Sequence, residues 1–120
     1  MKSRETQLQK SCVRWFRMQY RRYNKLLFAV PNGGKRDPIT ASRLKAEGVV
    51  PGVSDLIFLY PNGIYPFLCI EMKYGKNEQS EHQKEWQEDV ESVGGLYLVI
   101  NSFDSFKTAI NNYIRNGMKF

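Results

Sequence analysis

Asp55 and, sixteen residues later, the run Glu71-Met72-Lys73 are the residues whose types and spacing point most directly to chemistry. Glu71 and Lys73 stand two apart in a stretch that reads as a strand, so both project from one face, where a central strand ordinarily carries apolar side chains. Burying two ionisable groups there is unfavourable unless they are paired or hold a metal. Asp55 lies on the preceding strand and is folded back toward Glu71 by the turn at Asn62-Gly63. Two carboxylates supply the hard oxygen ligands that Mg2+ or Mn2+ takes, and a backbone carbonyl such as that of Met72 adds another. Lys73 beside them could orient or help deprotonate an attacking water, or neutralise charge on a pentavalent phosphorane. Such a constellation suits phosphodiester hydrolysis. The plain alternative is a solvated Glu-Lys pair on an edge strand.

Register makes this testable. A strict two-residue loop at Asn62-Gly63 would set Pro61 against Ile64 and put Asp55 and Glu71 on opposite faces. The site therefore demands an odd-length loop or a bulge between the two strands.

The elements that must position these groups follow from periodicity. From Ser3 to Tyr23, Leu8, Cys12, Trp15, Phe16, Tyr20 and Tyr23 recur at intervals of three and four, which predicts a helix with one buried stripe. Lys10, Arg14, Arg17 and Arg21 follow the same spacing on another face, making them candidates for phosphate contacts. Glu5 stands one turn before Leu8 and has two readings, a first-turn acid complementing the helix dipole or a group aimed at an internal site. Leu26 to Val30 reads as a short strand, and residues 31–38 as a loop with Lys35 and Arg36 at its tip. Ile39 to Glu47 favours a helix closed by Gly48. Ser54 to Tyr60 and Tyr65 to Lys73 are the two central strands, with Leu68, Ile70 and Met72 on one face and Phe67, Cys69, Glu71 and Lys73 on the other. Gln79 to Val93 is a helix with Gln83, Trp86, Val90 and Val93 inward, Leu96 to Ile100 a buried strand, and Ser102 to Arg115 a closing amphipathic helix. Gln83 either closes a capping box with Ser80 or points into the site; His82 falls on the surface. The order predicts an α/β fold, a mixed central sheet flanked by helices, in one domain over 1–120.

Composition narrows the function classes. The chain has 120 residues and a net charge of +6, and twelve of its eighteen basic side chains but three of its twelve acids fall in the first fifty residues. A basic front half attracts a polyanion, and nucleic acid is the first partner to consider. Two cysteines, Cys12 and Cys69, and one histidine cannot build a zinc site, and both thiols read as reduced core residues. Gly33-Gly34-Lys35 and Gly75-Lys76 lack the remaining positions of a Walker loop. The longest apolar run, Leu26 to Val30, is far short of a membrane span, and no apolar stretch follows the first residues to make a signal peptide; the expectation is an intracellular soluble protein.

Four blocks carry a resemblance: Pro31-Asn32-Gly33-Gly34-Lys35-Arg36; Leu44 through Val50-Pro51-Gly52-Val53-Ser54-Asp55-Leu56; Ile70-Glu71-Met72-Lys73; and Ser80 with Gln83 and Trp86. In this order and spacing the chain resembles a stand-alone virus-type replication-repair nuclease (VRR-NUC) domain of the PD-(D/E)XK superfamily. The resemblance implies a restriction-endonuclease-like fold. It also implies a Mg2+- or Mn2+-dependent endonuclease acting on DNA, at branched sites such as Holliday junctions or flaps, as a homodimer in the cytoplasm of a bacterium or phage-infected host. Asp55 and Glu71 would be metal ligands, Lys73 the catalytic lysine, Glu5 the first-helix acid and Gln83 the following-helix glutamine of the site. Where the family often has Pro before the aspartate, Ser54 stands here. Competing readings are a non-catalytic basic module in which Asp55, Glu71 and Lys73 form a structural cluster, or a ribonuclease.

Overall fold

The buried stripe of the first helix decides which face of the sheet becomes the core. In a computed structural model, which describes residues 3–31 and 37–115, the elements are α1 (Ser3–Gln19), a 3-10 segment (Arg21–Leu26), β1 (Leu27–Ala29), α2 (Pro38–Ala46), β2 (Leu56–Phe58), β3 (Leu68–Met72), α3 (Glu81–Ser92), β4 (Leu96–Ile100) and α4 (Phe103–Ile114). The strands form one sheet in the order β1-β2-β3-β4, antiparallel except for the parallel β3–β4 pair that α3 connects. The expected order of helices and strands is present, with β1, β2 and β3 shorter than the runs that announce them and β4 spanning Leu96–Ile100 as expected.

Alternation along the strands divides the sheet into two unlike faces. Leu56, Phe58, Leu68, Ile70, Met72 and Ile100 meet Cys12 and Phe16 of α1 and Phe106, Ala109, Ile110 and Tyr113 of α4 in the main core. The other face gathers a smaller cluster, Cys69 and Tyr97 against Val90 of α3, with Ile57, Phe67 and Trp86 at its margin. Val93, expected on the inward face of α3, is exposed, because α3 ends at Ser92 and the chain turns away at Gly94 with φ +88°. Both cysteines are buried and free, and burial pushes the Cys12 thiol up to about 12, so it stays protonated and unreactive.

Two expectations need correction. The first helix stops at Gln19, not Tyr23: Tyr20 leaves helical geometry (φ −125°, ψ 62°) while its hydroxyl donates to Asn111 of α4, and the chain continues as the 3-10 segment. Arg21 therefore stands on the 3-10 segment, off the α-helical stripe of Lys10, Arg14 and Arg17. Asn62-Gly63 is also not a two-residue hairpin turn. Residues 59–67 form a nine-residue connection between β2 and β3. Within it Asn62 is buried, its Oδ1 accepting from the amides of Ile64 (2.9 Å) and Tyr65 (2.8 Å) and its Nδ2 donating to the Tyr113 carbonyl (2.9 Å). Asn62 thus shapes the connection through its side chain and fastens it to α4, which the Tyr113 hydroxyl repeats by donating to the Tyr60 carbonyl (2.6 Å).

Removing the Asn62 amide strands buried backbone partners. Asn62→Ala removes three hydrogen bonds and is expected to lower stability by about 3 kcal/mol, at roughly 1 kcal/mol per lost hydrogen bond net. Urea unfolding measures it, and an unchanged midpoint would show the connection is held by packing alone.

Candidate active site

The odd-length connection delivers the register that the acids require. Leu56 pairs with Ile70 and Phe58 with Leu68, so one residue further along Asp55 stands opposite Glu71. There the ladder passes from backbone to side chain: Asp55 Oδ2 accepts from the Met72 amide at 2.7 Å, while its carbonyl accepts from Val30 at 2.9 Å and keeps the β1 side paired. Lys73 continues the β4 side by donating its amide to Ile100 (2.9 Å), so strand alternation turns the Met72 backbone toward Asp55.

Glu71 is 2 % and Lys73 7 % exposed, so neither is the solvated edge pair of the plain alternative. Burial, first, and then the charge of Asp55 and a hydrogen bond between the two carboxyl groups push the Glu71 carboxyl up to about 8; Lys73 and the Tyr97 hydroxyl pull the other way. A carboxyl that holds its proton at neutral pH, through burial first and a facing carboxyl second, marks a crowded and desolvated acid pair. Among the described residues the ion pairs at contact distance are all exposed and elsewhere, such as Arg43–Glu47 and Lys107–Asp104.

Neutral donors hold Glu71 in place. Gln83 Nε2 donates to Oε2 at 2.8 Å, and the Tyr97 hydroxyl to Oε1 at 3.5 Å. Gln83 serves both of its sequence readings at once. Its Oε1 accepts from the Ser80 amide and its own amide donates to Ser80 Oγ, a closed capping box, while its remaining donor reaches the acid. The side-chain amide of Gln79 donates to the Tyr97 hydroxyl (3.0 Å) and to Gln87 (3.0 Å). Tyr97 and Gln79 escape sequence reasoning because Tyr97 sits inside an apolar strand pattern, and only the parallel register, with Tyr97 against Cys69, brings its hydroxyl beside Glu71.

The segment before Asp55 is seated on α3. Ser54 Oγ accepts from the Trp86 indole at 3.2 Å, so the serine in place of a proline gains a bond across the layers. Gly52 (φ +85°) lies so close to α3 that a Cβ there would come within 2.4 Å of the His82 backbone carbon, and any other residue would push away the turn carrying Gln83. The His82 side chain itself is exposed, as expected.

Glu5 takes a different position. It lies on α1, against the opposite face of the sheet, and its Oε2 accepts from the Tyr74 amide (3.2 Å) and the Asn77 side chain (2.5 Å) just beyond β3. Among the described residues no three His, Cys, Asp or Glu side chains gather closely enough to hold a metal ion, so Glu5 is not brought into one cluster with Asp55 and Glu71. Lys10, Arg14 and Arg17 are exposed and line a groove of about 560 Å³ with Val13, Met18 and Ala29 of β1, beside α1 and not at the acid pair. Arg21 is exposed at the start of the 3-10 segment; Lys35 and Arg36 lie outside the described residues.

The donor set fits a hard divalent cation. Two carboxyls confront each other where one must stay protonated, and an ion between them would replace that proton and relieve the repulsion. Asp55, Glu71 and the Met72 carbonyl would hold it.

Comparison with known proteins agrees with this fold. A family model described as the VRR-NUC domain matches residues 3–104. A solved structure titled VRR_NUC domain protein is similar to the chain with 26% sequence identity and a TM-score of 0.81, over 94% of this chain and 89% of the other. The search of curated proteins finds no match. No helix among the described residues is long and apolar enough to cross a membrane.

The acid pair has a measurable consequence for the metal-free protein. Because folding raises the Glu71 carboxyl from 4.5 to about 8, the native state binds more protons between those values. Its contribution to stability is full below the lower value and is lost as pH rises through the higher one. Urea midpoints taken at about pH 5 and about pH 9 should therefore fall with pH in the wild type and fall less in Glu71→Gln. Equal slopes in the two proteins would remove the acid pair from the account.

Proposed function

This chain belongs to the VRR-NUC family, nucleases of the PD-(D/E)XK type, and from that premise we propose that it is a Mg2+- or Mn2+-dependent endonuclease hydrolysing DNA phosphodiester bonds, selectively at branched sites such as junctions or flaps. The observation that carries the reading is the confrontation of Asp55 and Glu71 at the end of the β2–β3 ladder, with buried Lys73 two residues after Glu71, just past the end of β3. The cation would supply Lewis acidity at the phosphate and a lowered pKa for water. Asp55 is kept in place by the Met72 amide and Glu71 by Gln83 and Tyr97, so the oxygens that bind are oriented before any ion arrives.

Lys73 takes the role of orienting the attacking water and balancing negative charge as the phosphorus gains its fifth oxygen. Its low exposure keeps the ammonium poorly solvated, where its charge acts strongly. Glu5 acts on the site from outside the acid pair: by accepting from the Tyr74 amide it fixes the exit of β3 immediately after Lys73. Lys10, Arg14 and Arg17, with Arg21, Lys35 and Arg36 as further candidates, hold phosphates without reading sequence. A homodimer would present two such sites to the two strands of a junction.

The test is cleavage of a labelled four-way junction, a flap and a single strand, with DNA and RNA versions, in Mg2+ or Mn2+ and in EDTA. Branched DNA should be cut in metal only. Asp55→Asn and Lys73→Ala should each lower the rate by about 10²-fold or more while DNA binding persists. Intact substrates throughout would leave a binding module, and cleavage of RNA alone a ribonuclease. In parallel, Arg14→Glu with Arg17→Glu should weaken DNA binding and reduce the slope of log affinity against log salt by roughly 0.9 per lost phosphate contact. An unchanged slope would move the nucleic acid off α1.

A further inference from the structure

Tyr74 follows Lys73 directly and leaves β3 on the other side. Lys73, two residues after Glu71, keeps to the α3 face by strand alternation, while the Tyr74 ring lies beside Arg4 in the first turn of α1. There both ends of the residue are held. Its amide donates to Glu5 (3.2 Å), and its hydroxyl accepts from Arg4 Nη1 (3.1 Å), whose guanidinium also lies over the ring, 5.5 Å from the centroid. Yet the ring is 41% exposed. A latch between α1 and β3 needs only the polar contacts, and Glu5 already provides one through the backbone. The aromatic surface left open at the strand end is unexplained by the fold.

We propose that Tyr74 and Arg4 form a stacking platform for a nucleobase adjoining the bond that is cut, so that the site favours a strand whose base has left the helical stack. The proposal rests on the nuclease reading above and specifies what that site takes. Lys73 and Tyr74 are consecutive, their Cα atoms about 3.8 Å apart. Lys73 and Tyr74 leave the end of β3 in opposite directions, so a strand laid across that end with its phosphate at Lys73 meets the aromatic and guanidinium planes with the neighbouring base. Aromatic rings and arginine planes are the groups that hold unstacked bases, and they do so with little regard to base identity. A fully paired duplex cannot offer its base without unstacking it, whereas a single-stranded flap or the branch point of a junction can.

The experiment is binding in EDTA, where nothing is cut, of a single strand and a flap carrying 2-aminopurine beside the cleavage position, against a paired duplex of equal length. Tyr74→Ala should lose about tenfold in affinity for the single strand and flap, and lose the fluorescence quenching of the stacked base, with duplex affinity changed less than about twofold. Tyr74→Phe, which removes the hydroxyl contact with Arg4 but keeps the ring, should retain both affinity and quenching. Wild-type binding by Tyr74→Ala would overturn the proposal; so would a Tyr74→Phe defect as large as that of Tyr74→Ala, which would assign the residue to a latch. Thermal melts of both variants separate a folding loss from a binding loss. If the wild type cuts branched DNA while Tyr74→Ala binds normally, the platform alone fails; if the wild type cuts nothing, the nuclease reading itself fails.

Discussion

Two carboxyl groups forced together sit at the point where the β2–β3 ladder runs out, and most of the surrounding structure can be understood as what keeps them there. Left to water, the two would separate and Glu71 would ionise. The fold prevents this by turning each into part of the backbone network. Asp55 takes the place of a strand residue by accepting from Met72, and Glu71 is a full member of β3 with a buried side chain. Burial first, and then the facing Asp55, keep the Glu71 carboxyl protonated, and its raised pKa records both. A site with two crowded carboxyl groups and oriented oxygens is preorganised for a cation in a way that a flexible acidic loop is not.

The groups that hold the pair are neutral. Gln83 and Tyr97 satisfy lone pairs of Glu71 without forming an ion pair, whereas an arginine in either position would have paired with it and closed the site to a metal. Gln83 is anchored by the capping box at the start of α3, and that start is pressed against the Gly52 turn leading to Asp55. The two acids, the donor and the helix end thus form one mechanical unit. Ser54 extends it through the Trp86 indole to the small core beneath α3.

The two sheet faces divide the labour. The face toward α1 and α4 is apolar and carries the main core; the face toward α3 is mostly apolar near the middle of the sheet and becomes ionisable only at the end of β3. Charged groups on the first face would have unpaired charges inside the main core. At the margin of the smaller cluster they remain partly reachable from solvent, which a substrate requires. Glu5 shows the limit of the arrangement: an acid on α1 reaches this margin only around the strand end, and it serves there as an acceptor for Tyr74 and Asn77.

Local pattern was enough to read the order of elements, the unlike faces of β3 and the shared projection of Glu71 and Lys73, because periodicities of two and of about 3.6 are written into neighbouring residues. The same logic required an odd-length connection, since a two-residue turn would have parted the acids. Its length and shape were not legible: Asn62-Gly63 has the composition of a tight hairpin, and only the carbonyl of Tyr113, fifty-one residues away, makes Asn62 the buried brace of a nine-residue connection. Arg21 shared the spacing of the basic stripe, but the contact of Tyr20 with Asn111 accompanies a break that no local rule announces. Tyr97 and Tyr74 read as ordinary aromatic residues until strand pairing set one against Glu71 and left the other open beside Lys73. Periodicity governs which way a side chain points from its own element; which groups it then meets is decided by register and layer packing between elements far apart in the chain, and only tertiary structure holds that information.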